Sequence, residues 1–282
     1  MSNQHPVRIE VTDGASIPDP RERGLNAWSL AFGAAVIAMV YLWFHQEAES
    51  GEYTYRNIMA FLFEPDRSRM FPFNFMPDAL LVTFQITFFS FLCTIPLGIL
   101  TGLGRLSRNR CLNLLTSTYV EVIRGVPLLV QLFYIYYALG KIIQVPPLVS
   151  AVVAISICYG AYMGEVVRAG ILAVSPGQTE AARSLGFNGA QTMWHVVLPQ
   201  ALRTILPPVG NEFIAMLKDT SLVSIMAVTD LFRRAREYAA ESFDYFETYT
   251  VVALLYLIIT LLLSKAVSLM EGKLNYYERN RK

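Results

Sequence analysis

Long apolar segments alternate with short polar segments along this chain of 282 residues. A helix needs about 20 mostly apolar residues to cross the hydrocarbon core of a bilayer. Six segments have about this length, and the few prolines and polar residues inside them can be accommodated by neighbouring helices: residues 27–44, 79–103, 118–140, 148–174, 201–226 and 248–270. The pattern therefore predicts an all-α integral membrane protein with about six transmembrane helices.

The segments outside these spans are polar or aromatic. Residues 1–26 are a polar tail, followed by the first predicted transmembrane helix at 27–45. Residues 46–77 are rich in aromatic residues and interrupted by proline, which indicates an interfacial, periplasmic segment. Residues 230–246 have charged and aromatic positions at helical spacing and predict a short helix on the outer face.

The polar stretch between the fourth and fifth spans predicts two short helices. Ser175 can cap the first helix, Pro176 suits its first position, and Gln178 stands where a capping-box acceptor belongs. We expect this helix to run from Pro176 to Leu185 and to end in a left-handed turn at Gly186.

A second capping box, formed by Asn188 and Gln191, is expected to open a helix that stops near Pro199. Two short helices that meet at a glycine between two spans form a compact projection on the membrane surface. This projection, residues 175–199, is named the knob.

Lys and Arg residues indicate which side of the membrane each loop occupies, because they are retained in the cytoplasm. With both termini inside, the cytoplasmic segments contain 14 Lys and Arg residues and the opposite segments contain 8. If Arg124 and Arg168 lie within helices, the difference narrows to 12 against 8 and keeps its sign. The knob is therefore predicted to be cytoplasmic, as are the tails at 1–26 and 272–282. The transmembrane core is predicted at residues 78–271.

Composition excludes several classes of protein. With 54% apolar and 16% charged residues, the chain is too apolar for an ordinary soluble domain. A net charge of +1 argues against nucleic-acid binding. The chain has no Gly-x-x-x-x-Gly-Lys-Ser/Thr sequence to hold nucleotide phosphates, and no histidine or cysteine spacing typical of a metal site. We predict no catalytic residue and no metal.

Ionisable residues inside predicted spans are candidates for a substrate pathway, since each costs about 3 kcal/mol at the bilayer centre by insertion scales. Glu165 precedes Ser175 by ten residues, which places it roughly 15 Å from the cytoplasmic edge and close to the midplane. Arg168 lies on the same face. Both an internal ion pair and a substrate contact stay open for these two residues.

The fifth predicted span contains a polar track. Asn211 and Glu212 follow Pro199 by a similar distance and should reach the depth of Glu165. Lys218 and Asp219 follow one heptad later, on the same faces. Lys218 either attracts a substrate carboxylate or pairs with Asp219.

The third predicted span adds a pathway candidate, Gln131, about two turns deeper than Arg124. Glu121 and Arg124 are spaced to pair with each other, which favours a structural role at the inner boundary.

The knob contains a specific motif. Glu180-Ala181-Ala182 is followed by three residues, Gly186, nine residues, Val196, one further residue and then Leu198-Pro199. This spacing resembles the EAA loop of ABC importer permeases at every position. The resemblance implies that Glu180, Ala181, Ala182 and Gly186 form a coupling helix that docks on a separate ATPase subunit.

Two further segments resemble the polar amino-acid permease group, which imports histidine, glutamine, glutamate, arginine and opines: Arg124 to Phe133 and Lys218 to Leu222. Val126 departs from the group, which commonly has Thr there. The resemblance covers roughly Pro77 to the C-terminus.

This resemblance implies a type I ABC importer permease core in a bacterial inner membrane. Its implied partners are an ATPase dimer that binds ATP and magnesium, a second permease subunit, a periplasmic substrate-binding protein and a polar amino acid. The chain itself then has no cofactor and is not an enzyme. The mixed charges of the pathway favour an acidic or amide amino acid.

Two alternatives stay open from the residues. A gradient-driven secondary transporter or channel would typically contain inverted repeats and broken helices. An intramembrane enzyme would need a nucleophile and a base at one depth, for which Ser221 near Lys218 is the candidate.

Overall fold

The computed structural model describes residues 76–279, and in this stretch the chain forms helices and the turns between them. The α-helices of this stretch are α1 (Met76–Arg105), α2 (Arg110–Gly125), α3 (Leu128–Phe133), α4 (Gly140–Ile143), α5 (Pro147–Leu172), α6 (Pro176–Ser184), α7 (Gly189–Thr192), α8 (Leu198–Asp219), α9 (Leu231–Ser242) and α10 (Tyr245–Arg279). Two π-helical segments, Tyr134–Leu139 and Met193–Val197, and one 3-10 segment, Thr220–Ile225, continue α3, α7 and α8.

The predictions for the N-terminal region lie outside the described residues. They are the tail at 1–26, the first span at 27–45 and nearly all of the interfacial segment at 46–77.

Three helices of the described stretch are long and apolar enough to cross a membrane: Asp78–Arg105 in α1, Pro147–Leu172 in α5 and Tyr245–Leu274 in α10. They agree with the second, fourth and sixth predicted spans. α10 continues to Arg279, so residues 272–279 of the predicted C-terminal tail are helical.

The third predicted span, residues 118–140, is not one straight helix. α2 and the helix that begins at Leu128 meet at an angle of 103°. Pro127 explains the break, because a residue before proline avoids the helical conformation, and Val126 is extended with φ −106° and ψ 130°. The predicted third span is therefore a broken helix, and a helix end lies inside an apolar stretch.

α8 corresponds to the fifth predicted span but does not meet the same criterion for length and apolarity. The reason is its polar content, which includes Asn211, Glu212, Lys218 and Asp219. Length and composition therefore identify three spans between residues 76 and 279, or four if the bent pair is one span, where the sequence predicted five.

α1 and α5 pack closely because glycines on both helices leave room for the neighbouring chain. A Cβ atom added at Gly102 would lie 2.8 Å from the carbonyl oxygen of Gly164. α8 shares the core that this pair forms, where Ile86, Ile155 and Met216 are fully buried. Small residues allow such close approach of helices where lipid offers no hydrophobic driving force.

α9 confirms the short helix predicted over residues 230–246 and connects two longer helices. The backbone N–H of Leu231 donates to Oγ1 of Thr83 in α1, at 3.1 Å. Arg233 and Arg236 donate to backbone carbonyls of the segment that follows α8, at 2.6 and 3.1 Å. α9 is therefore tied to both α1 and the end of α8.

Candidate functional site: the knob and a polar cluster

The first helix of the knob, α6, ends as predicted. Gly186 has a φ of +87°, its N–H donates to the carbonyl of Arg183, and the N–H of Phe187 donates to the carbonyl of Ala182. These two bonds are the Schellman arrangement that ends a helix at a left-handed residue. The left-handed turn predicted at Gly186 is confirmed.

The two predicted capping boxes have different outcomes. Asn188 and Gln191 form the predicted capping box, in which the side-chain oxygen of each residue accepts from the backbone N–H of the other, at 2.9 Å. Ser175 occupies the N-cap position of α6, but its hydroxyl caps no backbone N–H. Gln178 accepts a hydrogen bond from Gln200 instead, at 3.3 Å, so the first box was predicted wrongly.

The second helix of the knob does not stop at Pro199. α7 passes through the π-helical segment Met193–Val197 directly into α8, with Pro199 in the first turn of α8. Proline has no N–H to donate to the preceding turn, and the irregular π-helical segment lies directly before it, where that hydrogen bond is missing. The knob and the polar helix are therefore joined by continuous helical backbone.

The surface of the knob combines polar and apolar residues. Glu180 and Ala181 are exposed, whereas Ala182 is buried against its own chain. Leu185 is 80% exposed and Trp194 is 68% exposed. Contiguous exposed apolar patches are typical of surfaces that bind a partner.

Glu165 lies in an ion-pair network. Its carboxylate contacts the guanidinium groups of Arg168, three residues on, and of Arg105 at the end of α1. The internal ion pair left open for Glu165 and Arg168 is present, and a substrate contact of either residue stays a prediction. Arg105 is the last residue of α1, so the network lies level with the C-terminal end of that helix.

Gln131 is 7% exposed and closes the break between α2 and α3. Its amide nitrogen donates to the carbonyls of Ile123 and Val126, both at 2.8 Å. In an unbroken helix the carbonyl of Ile123 would accept from residue 127, which is a proline without an N–H. Gln131 supplies the missing donor, and its place in a substrate pathway stays a prediction.

The polar residues of α8 lie on different faces of the helix. Asp219 accepts a hydrogen bond from the hydroxyl of Tyr159 on α5, at 2.8 Å. Glu212 is half-buried and lies within electrostatic range of Asp219 and Arg124. Asn211 is exposed on the neighbouring face.

Arg124 has a different partner from the one that its spacing along the sequence predicts. The predicted pair with Glu121 is absent, and the guanidinium carbon instead lies 5.1 Å from the centre of the Tyr162 ring. Glu165 and Glu212 are both within electrostatic range of Arg124. The signal that could have located it is Pro127, which predicts that α2 ends beside this cation.

Lys218 does not pair with Asp219. It lines a cavity of about 420 Å³ between α8, α9 and α10, together with Ser221, Phe232 and Tyr249. Lys218 and Ser221 share this cavity, but no hydrogen bond joins them among the described contacts. The enzyme alternative therefore gains no support from their geometry.

The arrangement as a whole has two parts. One is an exposed knob with an apolar surface, and the other is a cluster of opposite charges where α2, α5 and α8 meet. In the described residues no group of His, Cys, Asp and Glu side chains has the geometry to hold a metal ion. The cluster can bind a small molecule that carries both charges, and the knob can bind a protein.

Comparison with protein families matches residues 94–275 to the binding-protein-dependent transport system inner membrane component. The L-cystine transport system permease protein TcyB of Bacillus subtilis (strain 168) is 42% identical over 197 residues, which cover 69% of this chain and 84% of TcyB. The glutamine transport system permease protein GlnP of Escherichia coli (strain K12) is 39% identical over 181 residues, which cover 63% of this chain and 83% of GlnP.

Among solved structures, the chain is similar to a crystal structure of an amino acid ABC transporter with histidines. The TM-score is 0.67 and the sequence identity is 42%, over 70% of this chain and 92% of that chain.

Proposed function

Because the chain belongs to the binding-protein-dependent transport system inner membrane components and is a polar amino-acid ABC permease, we propose that it translocates an acidic or amide amino acid inward. In this proposal the chain forms the transmembrane pathway and hydrolyses nothing itself. ATP and magnesium are bound by separate ATPase subunits.

The observation that carries the proposal is the continuous helix from the knob to the polar track. α7, the π-helical segment and α8 follow one another without a turn. A displacement of the knob is therefore transmitted along the backbone to Glu212 and Asp219. An exposed projection joined in this way to a polar helix is suited to convert movement of a partner into movement of a pathway.

The partner at the knob is the ATPase subunit. Glu180, Ala181 and Gly186 lie on the exposed side of the knob or at its turn, and Ala182 supports the turn from within. When two ATPase subunits close on ATP, they draw together the knobs of this chain and of a second permease subunit. The pathway then alternates between its outward and inward openings.

The substrate reaches the outer face on a periplasmic binding protein. Glu212 and Asp219 supply negative charge and Arg124 supplies positive charge where the helices meet, which suits a zwitterion. Glutamine, the substrate in the name of the relative GlnP, is an amide amino acid, and cystine, in the name of TcyB, also has both charges. Asn211, Glu165, Arg168, Lys218 and Gln131 complete the proposed pathway set.

The test is uptake by sealed vesicles in which this chain is reconstituted with an ATPase, a second permease subunit and a binding protein. Each L-amino acid is supplied as a radiolabel with the binding protein on one side and ATP on the other. We expect uptake that requires ATP on the side of the knob, and glutamine or glutamate to be taken up fastest.

Two results would contradict the proposal in different ways. Uptake that persists without ATP and stops when ionophores collapse the ion gradients would favour the gradient-driven alternative. ATP-dependent uptake of cationic amino acids alone would leave the permease assignment standing and refute the substrate class.

A further inference from the structure

An apolar groove lies between the last turns of α1 and the first turns of α2, apart from the knob and from the polar cluster. Its volume is about 610 Å³, and ligand sites commonly have volumes of roughly 300–1,000 Å³. Its walls are mainly apolar and include five leucines: Leu97, Leu100, Leu103, Leu112 and Leu115. The groove therefore has the size and the lining of a site for an apolar chain.

The groove is preformed, because three contacts fix the helices that form it. An added Cβ at Gly104 of α1 would overlap the methyl group of Thr116 of α2, so the two helices touch there. The side-chain nitrogen of Asn113 donates to the carbonyl of Arg105, at 2.6 Å, and fixes the turn between the helices. The hydroxyl of Tyr119, farther along α2, donates to a backbone carbonyl of α5.

Two arginines flank the groove at the turn between α1 and α2. Arg108 directly follows the lining residue Ser107, and Arg110 precedes the lining residue Leu112 by two positions. Both arginines are exposed, and neither has a hydrogen bond or an ion pair among the described contacts. Residues 79–120 contain no Asp or Glu. This end of the groove is therefore positively charged.

The arginines lie where α1 leaves the apolar region. α1 is long and apolar enough to cross a membrane up to Arg105, so we expect residues 106–110 at the level of the lipid headgroups. The orientation predicted from the Lys and Arg counts makes this the cytoplasmic leaflet, whose anionic lipids attract basic segments. The groove then extends from the headgroups into the hydrocarbon region.

From this geometry we infer that the groove binds an anionic phospholipid, with an acyl chain against the leucines and the phosphate at Arg108 and Arg110. A guanidinium can donate two parallel N–H bonds to a phosphate. A zwitterionic lipid can fill the apolar part equally well, but its own cation opposes the two arginines, so charge provides the selectivity. The inference goes beyond the proposed function and does not depend on which substrate is transported.

The test measures lipid binding to the purified, delipidated complex of this chain with a second permease subunit and an ATPase, by native mass spectrometry. The probes are dioleoyl phosphatidylglycerol, dioleoyl phosphatidylcholine, dihexanoyl phosphatidylglycerol, whose chains are too short to fill the groove, and inorganic phosphate. We expect dioleoyl phosphatidylglycerol to bind at least tenfold more tightly than each of the other probes.

The arginine variants test the charged end of the groove. Each basic residue near an anionic surface contributes about a fivefold preference. Arg108→Gln and Arg110→Gln should therefore each weaken binding of dioleoyl phosphatidylglycerol about fivefold and leave binding of dioleoyl phosphatidylcholine unchanged. Lys273→Gln is the control, since it removes an exposed cation from the same predicted side of the membrane without lining the groove. It should bind lipid as the wild type does.

Leu115→Trp tests the apolar part, because the larger side chain fills the groove. It should weaken binding of both dioleoyl lipids at least tenfold. Leu114→Trp is the matched control: Leu114 is 68% exposed and Leu115 is 69% exposed, but only Leu115 lines the groove. Dioleoyl phosphatidylglycerol should raise the unfolding temperature of the wild type and of Leu114→Trp, and not that of Leu115→Trp. If Leu115→Trp does not fold, the two arginine variants decide.

Three results would overturn the inference. One is equal binding of dioleoyl phosphatidylglycerol and dioleoyl phosphatidylcholine by the wild type. Another is binding of inorganic phosphate or of the dihexanoyl lipid as tight as that of the dioleoyl lipid, which would mean an ion site without a bound chain. The third is a disulfide between Leu115→Cys and Ser29→Cys in a chain whose own three cysteines are replaced, because the first predicted span would then occupy the groove. In each case coupled uptake by the wild type still decides the proposed function separately.

Discussion

At the scale of single residues, Gln131 shows how one side chain makes a broken helix possible. Its amide nitrogen donates hydrogen bonds to two backbone carbonyls close to Pro127, those of Ile123 and Val126. A buried carbonyl without a partner costs about 1–3 kcal/mol.

We predict that Gln131→Leu lowers the unfolding free energy by about 1–2 kcal/mol, because two partly buried carbonyls lose their donor. The measurement is thermal unfolding of the purified transporter. Gln200→Leu is the control, since the amide of Gln200 also donates to a carbonyl, that of Val196, but at the surface. Equal unfolding temperatures for the two variants would refute the role given to Gln131.

Asp230 caps α9 from a fully buried position in the segment between α8 and α9. Loss of solvation by burial raises its pKa to about 6, although the N–H groups of Phe232 and Arg233 favour the charged form. The ordinary pKa of Asp is about 3.9. Because the folded state holds the proton more tightly than the unfolded state, Asp230 contributes stability at low pH that is lost as the pH rises through about 6.

Asp230→Asn should keep the cap, since Asn caps as well as Asp, and should remove this dependence. We expect the unfolding temperature of wild type relative to Asp230→Asn to fall as the pH rises from about 4 to about 7. Thermal unfolding over this range is the measurement. A constant difference would mean that Asp230 does not titrate there.

At the scale of elements, the contact of α1 with α5 depends on the absence of side chains. Since the nearest atom to a Cβ at Gly102 is a backbone oxygen, the contact cannot be relieved by a rotamer change.

Gly102→Ala is therefore expected to separate α1 from α5 and to destabilise the protein by about 1–3 kcal/mol, as overpacking does. Gly272→Ala, in a helical position of α10 with no atom within 4 Å of the added Cβ, is the control and should be neutral or slightly stabilising. Unfolding of the two variants in parallel is the measurement. An unchanged free energy of unfolding in Gly102→Ala would show that α1 and α5 can separate slightly without loss of stability.

The end of α6 can be tested without any clash. A Cβ at Gly186 would meet no atom within 4 Å, so a larger residue acts there only through the positive φ. A residue with a Cβ in the left-handed region costs about 1–2 kcal/mol, and a β-branched residue is strongly disfavoured.

Gly186→Val should accordingly strain or reshape the turn and uncouple ATP hydrolysis from uptake while the spans stay inserted. The ratio of amino acid transported to ATP hydrolysed is the measurement. Gly189→Val is the control, because its surroundings are equally open and its φ is not positive. Normal coupling in Gly186→Val would argue strongly against the proposed role of the knob.

At the scale of the whole molecule, the knob and α9 are expected on opposite sides of the membrane. α8 leads from one to the other, and α9 is tied to its far end by Arg233 and Arg236. Movement of the knob and contact at α9 can therefore act on the same helix.

This sidedness predicts different labelling of single cysteines in a chain whose own three cysteines are replaced. Glu241→Cys on α9 should react with a membrane-impermeant maleimide in intact cells. Ser184→Cys on the knob should react only after the membrane is opened. Both positions are exposed, so accessibility within the fold does not differ between them. Reaction of Ser184→Cys from outside would invert the proposed orientation.

The sequence alone determined the features that depend on neighbours along the chain. Apolar length predicted α1, α5 and α10, and local capping and glycine chemistry predicted the Asn188 box and the turn at Gly186. These features follow from local backbone conformation and from transfer of apolar residues into lipid, both of which can be read from consecutive residues.

Only the tertiary structure decided which side chains meet. Glu165 pairs with Arg105, which is 60 residues away in the sequence. The amide of Gln131 donates to carbonyls at the break between α2 and α3. The guanidinium of Arg124 lies over the ring of Tyr162. The helical backbone also continues past Pro199, because a π-helical segment joins α7 to α8. A charged group pairs with whichever partner the packing of helices brings within a few ångströms. The distance between side chains on different helices cannot be read from the spacing of residues along one helix.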